Sequence, residues 1–249
     1  MRMRRAHERE MALSGQRKII GEAVAAGQEV VVFHAANGLA AAETGGEGVC
    51  GHDGNINAMT LLVAGLVLFL GAHSVRIFAD GWRTSTIARI GRNPWRGLYS
   101  IVSLVGFALI VWGYGQARAD PLVVWSPPAW TRYATSLLVL PSFVLIVAGN
   151  LPGTRIRAAL GHPMVLGTKL WAAAHLLSNG MLADIVLFGA FLAWAIVDYA
   201  SARRRDRAAG VVYPPGTSSR DATALAIGTI AWFAFGFWLH GPLIGVRPF

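Results

Sequence analysis

The sequence predicts an all-α protein, a polytopic membrane bundle of about six transmembrane helices. Three observations predict this class. Only 14% of the 249 residues are charged, whereas soluble domains carry about 25%. Hydrophobic residues make up 54%, and there are nine tryptophans, a residue enriched where a membrane meets water. Apolar runs of nearly the length needed to cross the hydrocarbon layer, about 20 residues, recur between arginine-bearing connections.

Residues 1–58 differ in composition from the rest of the chain. Every glutamate lies in this part, and the long apolar runs begin only after it. Its basic start is not followed by the apolar core of a signal peptide, and residues 44–58 are rich in glycine. We therefore expect 1–58 to be a disordered extension or the product of a mis-assigned translation start, and 59–249 to be the membrane domain.

Six segments qualify or nearly qualify as membrane spans. They are 59–78, 97–117, 133–151, 164–181, 183–200 and 221–240. The short connection between the fourth and fifth contains Asn179-Gly180, a pair that favours turns. These two spans should form a tight helical hairpin.

Arginines orient the predicted bundle. Ten of them lie in three connections on one side: Arg83, Arg89, Arg92 and Arg96; Arg155 and Arg157; Arg203, Arg204, Arg205 and Arg207. The other side has Arg118, Arg132 and Arg247. By the positive-inside rule the rich side is cytoplasmic and Met59 is outside. The net charge of +9 is thus explained by arginines on the cytoplasmic side of a protein whose partner is a lipid bilayer. Nucleic acid is not expected as a partner, because apolar spans separate the basic residues.

The single cysteine, Cys50, limits the chemistry of the chain. One cysteine cannot form a disulfide within the chain or a cluster of thiolate metal ligands.

Ionisable side chains inside the spans are the candidate functional residues, because they are costly in lipid. His73 lies roughly 7–8 Å from the cytoplasmic end of its span, at 1.5 Å per residue. His175 lies roughly 9 Å deep if its helix enters the membrane near Lys169, or about 16 Å if it enters at Met164. Two histidines at similar depth can ligate haem iron from opposite sides. Interhelical hydrogen bonds explain each histidine separately as well.

Other polar residues near the spans have simpler explanations beside the functional ones. Arg76, one turn from His73, can extend its charge to the interface or pair with a haem propionate. His162 precedes Pro163 and so marks a helix entry, where it is a gate, a propionate partner or a solvated residue. Asp184 and Asp198 flank the fifth span and are expected at the interfaces.

Three blocks of sequence carry a family resemblance: LFLGAHSVRI, NPWRGLYSIVSLVGFALIVWGYG and GHPMVLGTKLWAAAHLLSNG. Together they resemble the NnrU family of bacterial membrane proteins, from Met59 to about Ala200. The resemblance implies a bacterial inner-membrane protein with a role in nitrite and nitric oxide metabolism. Residues 1–58 match nothing in the family pattern.

The NnrU family is related to the 15-cis-zeta-carotene isomerase of plants and cyanobacteria, a membrane enzyme that binds haem b through histidines. The resemblance implies haem b here, with His73 and His175 as axial ligands and with His162 and Arg76 beside them. It leaves three functions open. They are a haem protein acting with nitric oxide, a haem-dependent isomerase of a lipid-soluble polyene, and a membrane scaffold without cofactor.

Overall fold

The computed structural model of the chain describes residues 50–248, with side chains from Ile56 onward. The described part is helical, with two isolated β-bridges, which confirms the predicted all-α class. The prediction for residues 1–49 lies outside the described residues.

The helices follow one another with short connections. They are α1 (Cys50–Phe78), α2 (Asp80–Ile90), α3 (Arg92–Ala117), α4 (Thr131–Asn150), α5 (Arg155–Leu160), α6 (Pro163–Ser178), α7 (Leu182–Ala208), α8 (Ser218–Ala234) and α9 (His240–Ile244). A π-helical turn, Phe235–Leu239, joins α8 to α9.

Five helical stretches of the described chain are long and apolar enough to cross a membrane. They are Ile56–Phe78, Arg92–Ala117, Thr131–Asn150, Leu182–Ala208 and Ser218–Ile244. Each contains one of the six predicted spans, and together they support an integral membrane protein.

The fourth predicted span, 164–181, is shorter than expected. Its helix, α6, has 16 residues, or about 24 Å, against the roughly 30 Å of the hydrocarbon layer. Just after the end of α6, the carbonyl of Gly180 accepts backbone hydrogen bonds from Val124 and Trp125. The segment between α3 and α4 therefore folds inward to meet the end of α6. The predicted hairpin of α6 and α7 is present, with 179–181 as its connection.

Two parts of the chain predicted to lack helix are helical. Cys50–Ala58, assigned to the extension, forms the start of α1, and Ala58 is buried in the core. The predicted loop 79–96 contains α2 and the first turn of α3. Gly91, with φ of 88°, separates these two helices in a conformation that side chains disfavour.

The order of neighbours across the bundle differs from the order in sequence. Helix α3 packs on α1, α1 on α7, α7 on α6, α6 on α4, and α4 on α8. Helices α1 and α7 run parallel, because Phe69 lies beside Phe191 and His73 beside Trp194. We call the end that holds the connections 79–91, 151–162 and 209–217 the arginine-rich end.

Glycines bring α1 and α3 together. A Cβ built on Gly106 would lie 2.7 Å from the backbone nitrogen of Phe69, and one on Gly65 would lie 2.6 Å from that of Ile110. Gly113 faces Leu62 in the same way. Small residues at such positions let two helix backbones approach closely in a membrane.

Replacing Gly106 with alanine should therefore destabilise the bundle. The added methyl group must push the backbone of α1 away, at a cost of about 1–3 kcal/mol, the usual range for overpacking. We expect Gly106→Ala to lower the thermal unfolding midpoint of the detergent-purified protein.

Gly97 on the same helix is the matched control, because a Cβ there meets nothing within 4 Å. Gly97→Ala should keep or raise the midpoint, since alanine favours a helix over glycine by up to about 1 kcal/mol. Equal midpoints for the two variants would contradict the close contact.

Candidate functional site

A cavity of 730 Å³ lies toward the arginine-rich end of the bundle, among α1, α2, α3, α6 and α7. We call it the arginine-lined cavity, because its wall contains Arg76, Arg83, Arg92, Arg96 and Arg205. Asp198 is the acidic residue on that wall among the described residues. Apolar and aromatic side chains complete it, so the cavity combines an apolar surface with positive charge.

His73 forms part of the cavity wall. Its Nδ1 lies 2.7 Å from the carbonyl oxygen of Phe69, one turn earlier on α1. A carbonyl only accepts hydrogen bonds, so the proton of a neutral imidazole lies on Nδ1 and Nε2 carries the lone pair. The ring stacks on Phe69, with centroids 4.3 Å apart. His73 thus presents a fixed imidazole with Nε2 as a potential ligand atom.

His175 has the same local arrangement in a different place. Its Nδ1 lies 2.8 Å from the carbonyl oxygen of Trp171. Its ring stacks on Phe188 of α7, with centroids 4.6 Å apart. His175 is not among the described residues that line the arginine-lined cavity.

The two histidines lie at different levels of the bundle. His73 contacts Trp194 of α7, whereas His175 contacts Phe188 six residues earlier, about 9 Å along the helix. Rings of Phe69, Phe191 and Trp171 contact one another in sequence between them: the first two centroids are 5.9 Å apart and the second pair 5.6 Å. We call these three rings the aromatic layer. The pairing of His73 with His175 on one metal stays a prediction.

His162, the third predicted histidine, lines the same cavity as His73 and Arg76. It is the residue before the buried Pro163, which begins α6. Its Nε2 lies 2.8 Å from Oδ2 of Asp206. The Tyr213 hydroxyl donates to the same oxygen at 2.6 Å. The structure therefore brings together three of the four predicted site residues and leaves His175 apart.

Asp198 and Asp184, the two aspartates expected at the membrane interfaces, lie in different surroundings. Asp198 lies half-buried on the wall of the arginine-lined cavity. Asp184 is only 3% exposed. Its Oδ1 accepts a hydrogen bond from the Tyr114 hydroxyl at 2.6 Å, and its Oδ2 accepts one from the backbone N–H of Met181 at 3.3 Å. Asp184 is thus a buried helix-capping residue in the first turn of α7.

A second, apolar depression adjoins the cavity. This α1–α7 groove has a volume of 750 Å³, and its wall is built of aliphatic and aromatic residues such as Leu70, Phe78 and Val197. Val75 and Trp194 belong to both walls. The indole Nε1 of Trp194 is buried and has no hydrogen-bond acceptor among the described residues, a condition rare in native proteins.

Sequence reasoning missed Trp194, Tyr99, Asp206 and Tyr213 as neighbours of the predicted histidines. Asp206 had a usable signal, since it is the one acidic residue within the arginine run 203–207. The others come from helices and a loop whose adjacency depends on the packing of α7 against both α1 and α6.

Comparison with known proteins gives one finding. A family model described as NnrU protein matches residues 61–248. No curated protein and no solved structure matches the chain.

The buried Asp184 generates a prediction about stability. Asp184→Ala would leave the Tyr114 hydroxyl and the Met181 N–H without their acceptor, at a cost of about 2–5 kcal/mol. We expect a clear fall in the thermal unfolding midpoint, and a smaller one for Tyr114→Phe.

Asp80→Ala is the control, because the Asp80 carboxylate is about half exposed and pairs with Arg83 at 3.6 Å. Such a pair contributes at most about 1 kcal/mol. If Asp184→Ala were no more harmful than Asp80→Ala, the buried hydrogen bonds would not be stabilising.

Proposed function

We propose that this membrane protein, which belongs to the NnrU family, binds haem b in the arginine-lined cavity. We also propose that it acts in nitrite and nitric oxide metabolism. One observation carries the proposal: His73 lies on the wall of a cavity lined largely by apolar and basic residues, and its Nδ1 is already bonded.

The iron ligand we propose is Nε2 of His73. A ligating histidine usually donates its other ring N–H to a carbonyl or carboxylate, which fixes the ring and raises its basicity. The carbonyl of Phe69 fills that position for His73. The imidazole needs no proton removed before it binds metal, because its lone pair is already on Nε2.

The propionates of haem b match the charge of the cavity. The five arginines on the wall outnumber the single acidic residue, Asp198. Guanidinium groups pair with carboxylates through two parallel hydrogen bonds. Arg76, on the same helix as His73, is the first candidate for such a pair.

The wall of the cavity fits the rest of the group. Tyr99 and Trp194 lie beside the His73 ring, at centroid distances of 5.2 and 6.1 Å, and can contact a flat macrocycle. When bound, haem b supplies an iron centre that binds diatomic gases or exchanges an electron. The chain's own residues would bind and orient it and exclude water from its apolar face.

His175 is the second axial ligand implied by the resemblance. Its Nδ1 is bonded to Trp171, so its Nε2 is also chemically suited to a metal. It contacts Phe188 of α7, however, six residues before the Trp194 that His73 contacts, and it is not among the described residues that line the cavity. We therefore expect the two histidines to contribute unequally.

A second candidate function is a haem-dependent cis–trans isomerase of a lipid-soluble polyene. The α1–α7 groove favours it, because the groove is apolar and only Val75 and Trp194 are common to its wall and that of the cavity. A long hydrocarbon ligand could lie there without polar contacts. The groove is compatible with the gas-binding role as well, so the two functions must be separated by experiment.

We also propose that the arginine-rich end faces the cytoplasm of a bacterial cell, across the inner membrane. The ten arginines counted above lie in the connections at that end or in the adjoining ends of α3 and α7, and the positive-inside rule assigns such an end to the cytoplasm. The C-terminal end of α8 and α9 would then lie on the outer side.

Absorption spectra of detergent-purified protein test the haem proposal. We expect a haem spectrum for the wild type and, for His73→Ala, a loss of haem affinity of more than about tenfold, the least expected when a ligating group is disturbed. His175→Ala should retain haem and change only the ligand-field bands. His240→Ala is the control, since His240 lies at the opposite end and bonds to the carbonyl of Val246.

Full haem occupancy in both His73→Ala and His175→Ala would overturn the ligand assignment. If the wild-type protein purified from haem-sufficient cells contained no haem, both haem-dependent functions would be excluded and the membrane scaffold would be the remaining one. Nitric oxide added to the reduced protein should shift the spectrum if the first function holds. A 15-cis polyene converted to its all-trans product, measured by chromatography, would instead establish the isomerase.

Orientation is tested by labelling single cysteines in intact cells. In a Cys50→Ser background, Ser126→Cys lies between α3 and α4, and Ala209→Cys follows α7 at the arginine-rich end; both positions are exposed. We expect a membrane-impermeant maleimide to label residue 126 in intact cells and residue 209 only after lysis. The reverse pattern would mean that the arginine-rich end is outside.

A further inference from the structure

The cluster around His162 has a role that haem ligation does not explain. Three groups converge on Oδ2 of Asp206: His162 Nε2 at 2.8 Å, the Tyr213 hydroxyl at 2.6 Å and Arg203 Nη1 at 3.6 Å. These come from the start of α6, the end of α7 and the loop after it. The carboxylate therefore joins three parts of the arginine-rich end.

The geometry fixes the proton on the ring of His162. A carboxylate oxygen 2.8 Å from Nε2 requires a hydrogen on that nitrogen. None of the described residues forms a hydrogen bond with Nδ1, so Nδ1 holds the lone pair of the neutral ring. This is the arrangement in which an acidic partner orients an imidazole and stabilises its protonated form.

The local sequence is built around the cluster. Gly161 has φ of 74°, and a Cβ on it would lie 2.6 Å from Arg203 Nη1 and 3.0 Å from the Tyr213 hydroxyl. Pro163 disfavours a helical backbone at His162, and the φ of −123° and ψ of 62° of His162 lie outside the helical region. The sequence Gly161-His162-Pro163 thus places the imidazole at the mouth of α6 and makes room for its partners.

The Tyr213 hydroxyl keeps its proton. Burial and its hydrogen bond to Asp206 raise the pKa of this hydroxyl above the ordinary value of tyrosine. It therefore donates to the carboxylate and does not compete with His162 as an acid at physiological pH.

His162 also faces the site that we assign to haem. It lines the arginine-lined cavity together with His73. Asp198 lies on the same wall, eight residues before Asp206 on α7 and thus about 12 Å further from the arginine-rich end. Trp194, which contacts His73, precedes Asp198 by four residues, or about 6 Å along α7. Polar groups therefore follow one face of α7 from the end of the bundle to the level of His73.

We propose that His162 is the proton-transfer residue of the arginine-lined cavity, and that Asp206 and Tyr213 are its positioning residues. The neutral ring takes a proton from water on Nδ1, forming an imidazolium beside the Asp206 carboxylate. It then returns that proton from Nδ1 to the occupant of the cavity or to Asp198, and the neutral Nε2–H form is restored. The inference rests on the proposed function in one respect, that haem is the occupant.

Charged groups on every neighbouring element affect this proton. On α7 they are Asp198, Arg203, Arg205 and Asp206, and α1 contributes His73 and Arg76. Helices α2 and α3 contribute the other arginines of the cavity, with Tyr99. The arginines oppose a positive charge on His162, whereas the two aspartates favour it.

Nitrogen NMR of histidine-labelled protein in micelles tests the proton on His162, and it needs no cofactor. The signal is identified by its absence in His162→Gln. We expect the Nε2–H form, with proton uptake on Nδ1. Asp206→Asn should remove the fixed preference for this form, because an amide can either accept from the ring nitrogen or donate to it. Tyr213→Phe should keep the Nε2–H form, because the Asp206 carboxylate remains, and Asp120→Asn, at the opposite end, should also keep it.

The second arm uses protein loaded with haemin and measures the midpoint potential at a series of pH values. We expect reduction to be accompanied by proton uptake in the wild type and this uptake to be lost in His162→Gln. If His162 had only a structural role, the proton uptake would persist in His162→Gln, and that result would overturn the proposal. An Nδ1–H form in the NMR arm would also overturn it, whether or not haemin binds.

Discussion

The structure depends on one constraint: a polar group inside a bilayer must find its partner within the protein, because lipid offers none. Several polar side chains of the spans obey it by bonding to backbone carbonyls. Thr135 donates to Ala174 and Ser142 to Gly167, at 2.7 and 2.8 Å, which fixes α4 against α6. His73 and His175 each bond one turn back on their own helix. This local bond leaves the second ring nitrogen unused, and that is the property a metal ligand needs.

A buried polar group that has no partner is informative, because lipid cannot supply one. The buried indole N–H of Trp194 has no acceptor among the described residues, and it lies on the wall shared by the cavity and the groove. An occupant with an oxygen or nitrogen acceptor would satisfy it. Trp194 also touches His73. The unsatisfied donor and the available imidazole nitrogen therefore border the same space, which supports a ligand there independently of the arginines.

Much of the fold could be predicted from the sequence, because the length of an apolar run measures the depth of a membrane directly. The short α6 was missed because the segment ending at Met181 reads as apolar, although its helix stops at Ser178. In the site, helical rise predicts a depth for His73, but rise alone says nothing about rotation or neighbours. His175 turns toward Phe188 of α7, and only the packing of α7 on both α1 and α6 decides this. Tyr213 could not be assigned to His162, since it lies 51 residues further along the chain.

The arginines show where a sequence rule stops being sufficient. The positive-inside rule treats every arginine of a connection alike, yet the fold separates them. On α2, Arg83 and Ile87 lie four residues apart on one face and line the cavity, whereas Arg89 does not follow that spacing. On α7, spacings of four and three residues put Asp198, Ala202 and Arg205 on the cavity wall, so Arg205 is the residue of the charged run 203–207 that lines the cavity. A charge that orients the protein in the membrane acts from any face of a helix, but a charge that holds a ligand must lie on the cavity face. The rotation of Arg83 about α2 and of Arg205 about α7 places both on the cavity wall, where the second kind of charge is needed.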